Sequence, residues 1–201
     1  MTGSTPDIVD VLAHIRPGDA LATLRDRRPV TREQMQLSHQ ALFSPTSTAD
    51  ASLAERHAVA LFTALLHDAE DLAGLHAAAL LAADGEALVA AVRQAAAAGA
   101  TKGPYGRYPA GPLAAEDVSG PELRIPEGIA ATLGRRLTLA LEHAHLLIFH
   151  PRDAKAEHLQ RLLAAGWSPT GAVSLSQIVS FLAFQILSLI HISEPTRLAL
   201  I

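Results

Sequence analysis

The chain has no cysteine among its 201 residues, which excludes a disulfide, an iron–sulfur cluster and any thiol redox centre. Aromatic residues make up only 4% of it, and no basic stripe carries them in the pattern that nucleic-acid binding requires. Charge is nearly balanced, with 16 basic and 20 acidic residues spread along the chain for a net −4. The cluster Arg25, Arg27, Arg28 and Arg32 reads as a solvated helix end. Long β-branched runs bounded by turns are missing, so strands have little to build on. The N-terminus, MTGSTPDIVD, carries neither a basic nor an apolar segment, and no signal peptide is visible there. The expectation is a cytoplasmic bacterial-type protein.

What is abundant is alanine and leucine, within a hydrophobic share of 49%. Alanine and unbranched side chains lose the least entropy on entering a helix. A chain of this length folds as one domain with a substantial core. The predicted class is all-α, with about seven to eight helices and one long Gly/Pro loop.

The end of the chain reads differently. Leu187–Arg197, LSLIHISEPTR, is similar to an in-frame translation of a common transposon sequencing adapter, codon for codon. On that reading the domain is 1–186, and 187–201 is read-through that the native protein lacks. This matters for Val173–Ile192, which has the length of a membrane span. Half of it is adapter, and Ser174, Ser176, Gln177, Ser180 and Gln185 make the rest amphipathic, so no membrane partner is expected.

Element signals are clear along most of the chain. Thr5, Pro6 and Asp7 open a first helix with Ile8, Val11, Leu12 and Ile15 at helical spacing. A second runs near 19–27 and stops before Pro29; Thr31 and Gln34 then suggest a capping box for a third over about 32–43. Ser52 and Glu55 form another possible box, opening a helix to about His67 with Val59, Phe62, Leu65 and Leu66 as its apolar stripe. Helices follow over about 69–82 and from a cap at Asp84 to Gly99. Residues 101–122, TKGPYGRYPAGPLAAEDVSGPE, cannot be a regular helix, and a connection of that length is usually functional or mobile. Helices resume at about 126–149, 153–165 with Gly166 as its stop, and 174 onward.

Ser52–His76, SLAERHAVALFTALLHDAEDLAGLH, resembles the signature helix pair of the carboxymuconolactone decarboxylase and AhpD-like alkylhydroperoxidase superfamily. The thiol branch of that superfamily has E-R-E followed by C-x-x-C-x-x-x-H. Here Glu55, Arg56 and His76 fall at matching spacing, His57 replaces the second glutamate, and Ala69 and Leu72 stand at the two cysteine positions. Phe149–Gln185 resembles the closing half of peroxidase-related AhpD-like domains. The opening TPDIVDVLAHIRPGDALATLRDRRPV resembles cysteine-less CMD-domain proteins found beside alkylhydroperoxidase-like relatives. The resemblance implies a helical homo-oligomer, often trimeric or hexameric, with a pocket near the signature helices, and a thiol-bearing relative as a possible partner.

Neither Ala69 nor Leu72 can attack a peroxide or resolve a sulfenic acid, so thiol peroxidase chemistry is excluded. The resemblance leaves proton transfer, as in the decarboxylase branch, on a small organic acid or lactone. The candidate catalytic residues are His76, Glu55 and His57, with histidine suited to the role by its near-neutral pKa. The alternative is that Glu55 only caps its helix and His76 is a hydrogen-bonded core histidine. Tyr105, Arg107 and Tyr108 in the long loop are candidate substrate-binding residues, the arginine for a carboxylate; a surface loop or oligomer contact is the alternative. His143 and His150 share a face by helical spacing while His145 points elsewhere. No clean ligand set emerges, so neither a metal nor another cofactor is expected. The competing function is a non-catalytic oligomer subunit.

Overall fold

A computed structural model describes residues 6–193. Among them it has nine α-helices, two short 3-10 turns and no strand, apart from one isolated bridge between Gly106 and Val118. The helices are α1 (Ile8–Leu12), α2 (Ala20–Asp26), α3 (Pro29–Phe43), α4 (Leu53–Leu66), α5 (Glu70–Asp84), α6 (Glu86–Gly99), α7 (Glu127–Phe149), α8 (Ala156–Ala164) and α9 (Pro169–Ser193). The all-α expectation holds. The remainder of the adapter-like stretch, 194–201, lies outside the described residues, as does Thr5.

The layout follows from α4. Every residue from Ala58 to Phe62 is fully buried, and Arg56, Thr63 and Ala64 are buried beside them. A helix that is apolar on all sides belongs in the centre, and α4 is packed by α3, α5, α6, α7 and α9. The sequence suggested a single stripe; the alanines on the other faces are small enough to let neighbours approach all round. Its start is fixed by the full capping box: Ser52 accepts from the Glu55 N–H at 3.2 Å, and Glu55 accepts from the Ser52 N–H at 2.8 Å.

Several predicted boundaries are corrected. Asp7, not Thr5, caps α1 by accepting from the Val9 and Asp10 N–H groups, and the helix stops at Leu12, short of Ile15. Pro29 begins α3 instead of preceding it by a gap, because the first turn needs no proline N–H. Asp84 ends α5 and does not cap α6; Gly85, at φ +88°, joins the two. The helix expected from Asp153 splits into a 3-10 turn at Pro151–Asp153 and α8. The last helix begins at Pro169, five residues early, because Ser168 accepts from the Gly171 N–H at 2.9 Å and caps it. Within α7, Gly134 at φ 72° and ψ 158° breaks the helical path, a conformation that glycine adopts without steric cost.

Helix α9 is long and apolar enough to cross a membrane over Pro169–Ile190, with mean hydropathy 1.9. Here Leu175, Ile178, Leu182, Gln185 and Ile186 are buried against the rest of the domain. Its outward face carries Val173, Phe184, Leu187 and Ile190, all exposed.

The loop 101–122 is structured. The Tyr105 N–H donates to the Phe149 carbonyl at 2.6 Å, and the Tyr105 hydroxyl bonds Thr101 at 2.7 Å. Gly120 lies so close under the Tyr105 ring that an added Cβ would come within 2.2 Å of it. The loop is thereby clamped on the C-terminal end of α7.

Candidate functional site

The two candidate catalytic histidines meet. His57, one turn into α4, and His76, in the middle of α5, face each other with their Nδ1 atoms 3.1 Å apart. At that separation one Nδ1 carries a hydrogen and the other accepts it. Phe43, the last residue of α3, covers both rings: it stacks on His57 at 5.3 Å and tilts against His76 at 4.6 Å. His39, one turn earlier on α3, packs on Phe43 at 5.0 Å.

Burial sets the protonation of this cluster. His76 is 0% exposed, and desolvation, reinforced by His57 and His39, pushes its pKa down to about 3. Desolvation and His57 push His39 down to about 4. Burial lowers His57 as well. All three rings are neutral at pH 7, which suits a base and excludes a resident imidazolium acid. The Nε2 atoms of His76 and His39 have no hydrogen-bond partner among the described residues. His57 is only half-buried, and its sole hydrogen bond among those residues is the one to His76. Of the pair, His57 is therefore the ring that can meet a ligand.

Glu55 does not join them. Its Oε2 accepts from the Ser52 N–H, and its Oε1 accepts from Arg136 Nε at 2.5 Å. The same guanidinium donates to the Asp50 carbonyl at 2.8 Å and to the Gly166 carbonyl, and it lies 3.9 Å over the Trp167 ring. The Trp167 indole N–H returns a bond to the Arg136 carbonyl at 2.9 Å. Glu55 is thus the anionic end of a strap joining α4, α7 and the start of α9. It borders a separate cavity of about 410 Å³ with Arg136, Thr48 and Thr132, which neither His57 nor His76 lines. Arg56 is likewise structural: it is buried and donates to the Ala51 and Leu42 carbonyls. Ala69 is the residue before α5, and Leu72 is a core residue of it.

The loop residues gather elsewhere. Tyr105 packs on His150 at 5.1 Å. Arg107 points its side chain to solvent while its N–H donates to Asp153. Tyr108 lies under the Arg152 guanidinium at 3.9 Å, and its N–H donates to Asp117. None of these contacts involves the histidine pair.

A second histidine group sits at the end of α7. His143, His145 and His150 are all buried and all line a cavity of about 30 Å³ with Glu142, His158 and Arg161. The helical-wheel expectation that His145 points away is corrected. His150 lies past the last helical residue, at φ −129°, so the wheel does not apply to it. His145 and His150 are tied down by the Gly99 and Pro121 carbonyls at 3.0 and 2.9 Å. His143, by contrast, has no partner on either ring nitrogen among the described residues, and desolvation, then His158, lowers it to about 4. Among the described residues, no three His, Asp or Glu side chains are grouped to hold a metal ion.

Two contributors to the pair's surroundings, Phe43 and His39, were not singled out from the sequence. Their i, i+4 spacing on α3 puts them on one face, but nothing local says which helix that face meets.

Compared with known proteins, the chain matches no family, no curated protein and no solved structure.

Proposed function

We propose that this protein performs proton transfer on a small lactone or organic acid, with His57 as the base and His76 as its positioning partner. The observation that carries the reading is the 3.1 Å contact between the two Nδ1 atoms. If His57 Nδ1 is the donor, its Nε2 holds a free lone pair on the more exposed side. That atom takes a proton from the carbon next to a carbonyl: the C–H bond breaks, its electron pair forms the enolate C=C bond, and the carbonyl π pair moves to oxygen. The His57 imidazolium so formed is held by its Nδ1–H bond to His76, and it returns the proton to another carbon of the conjugated enolate as the carbonyl re-forms, which completes an isomerisation. Cysteine plays no part, because the chain has none.

Incubating the full chain with small lactones in D2O tests this. Deuterium should enter the carbon next to the carbonyl, and His57→Phe should slow entry about a hundredfold, the lower range for a positioned base. Glu55→Gln should keep exchange within a few-fold, since Glu55 acts on the strap. Exchange that survives His57→Phe unchanged contradicts the proposal.

A second reading is a non-catalytic oligomer subunit. Leu159, Leu163 and Val173 are exposed together beside a cavity of about 470 Å³ between α8 and α9, the kind of apolar patch that an association surface presents.

A further inference from the structure

A different part of the molecule is built to hold an anion with an apolar tail. Helices α1, α2 and α3 are pinned by charge: Arg25 pairs with Asp7 at 3.0 Å and with Asp10, while Arg32 pairs with Asp7 at 3.1 Å and with Asp10 and Asp26 at 2.5 Å. Two cavities border the network. Asp7, Asp10 and Asp26 line one of them, together with Arg16, Arg32 and Glu33. The other, between α2, α3 and α9, is about 360 Å³ and is bordered by Arg25, Arg28 and Arg32 with no acidic residue.

The rest of that second cavity is largely apolar, with Val9, Leu24, Met35 and Phe184 as its walls. Leu24 and Phe184 are each 55% exposed, so two large apolar side chains beside this hollow are accessible to a ligand's hydrocarbon. Arg25 and Arg32 are held by their aspartates. Arg28 has no acidic partner among the described residues. Only Ser188 of the lining falls in the adapter-like stretch, and its hydroxyl is already bonded to the Phe184 carbonyl.

A cavity of this size is in the range that small ligands occupy, and a few convergent polar groups at an apolar hollow give such sites their orientation. We infer that this cavity binds a single-chain amphiphilic carboxylate, its head on Arg28 and its hydrocarbon tail against Leu24, Met35 and Phe184. Arginine suits a carboxylate because two of its N–H groups can engage both oxygens. The site is separate from the His57–His76 pair, so its failure would leave the proposed proton transfer untouched.

Calorimetric titration of the full chain with decanoate and with 1-decanol tests the inference. Decanoate should bind at one site, and Arg28→Gln should weaken it about tenfold, the scale of one charge-assisted contact. Decanol should bind more weakly and be indifferent to Arg28→Gln. Leu24→Ser, at an exposed position, should weaken both. No decanoate binding, or binding unchanged by Arg28→Gln, overturns the inference. So does capture by anionic phospholipid vesicles without binding of free decanoate, which would make the face a membrane contact. A change in sedimentation with Leu24→Ser and no decanoate binding would assign the hollow to a second copy of the chain.

Discussion

Lowering the pH from 7 to 5 should remove roughly 2 kcal/mol of folding stability from each of two buried histidines, with His39 adding in the same direction. The two are His76 and His143, which are 0% and 7% exposed and whose pKa values are pushed from 6.5 to about 3 and about 4. In the unfolded chain both bind protons below about pH 6.5; in the folded chain they resist down to those lower values. Protons therefore favour unfolding across the window between, and stability falls as pH drops from 6.5 towards 4. Above 6.5 both states are neutral, and these residues contribute no slope. Urea unfolding at pH 7, 6 and 5 reads the effect directly as a falling midpoint at constant slope. His143→Leu should remove about 2 kcal/mol of the acid sensitivity, and at pH 7 it should be neutral or stabilising, because it replaces a ring whose two nitrogens have no partner among the described residues by hydrocarbon. A flat stability between pH 7 and 5 would show that these rings are solvated.

The second large effect is expected at Arg136. Arg136→Met should cost about 3 kcal/mol, the low end for removing one partner of a buried ion pair, because the guanidinium is a third exposed. The substitution strands Glu55, leaves the Asp50 and Gly166 carbonyls without their donor, and removes the cation over Trp167. Arg136→Lys keeps the charge but cannot reach three acceptors in different directions, so it should fall between the two. The midpoint of urea unfolding measures both. If Arg136→Met is as stable as the parent, the strap contributes nothing, and Glu55 returns as a candidate for the proton chemistry.

The strap also shows where sequence reasoning reached its limit. The Ser52–Glu55 capping box is a local device, set by residues three apart, and it was legible. So was the helical class, which follows from alanine and leucine content. The meeting of His57 with His76 was half legible: adjacent helices joined by a short turn pack antiparallel, which brings the first half of α4 alongside the middle of α5. Which of Glu55 or His57 would point inward depended on Arg136, 81 residues away from Glu55 in sequence. Phe43 and His39 were invisible for the same reason. Proline misled at Pro29, which looks like a break between elements yet begins α3, because the first turn has no use for the missing N–H; α9 likewise opens on Pro169, ahead of the expected start at 174. The long loop was correctly excluded from helix, but its tyrosines and Arg107 are engaged around the end of α7 and Asp153, away from the histidine pair.

Proton transfer by His57 requires that the two Nδ1 atoms share a hydrogen. Nitrogen-15 spectra of the histidine side chains, recorded on the full chain across pH 4–8, test this most directly. His57 should be in the Nδ1–H tautomer and His76 should have a bare Nδ1, with His76 still neutral at pH 5. If His57 carries its hydrogen on Nε2, or if His76 titrates near 6.5, the proposed base loses its support.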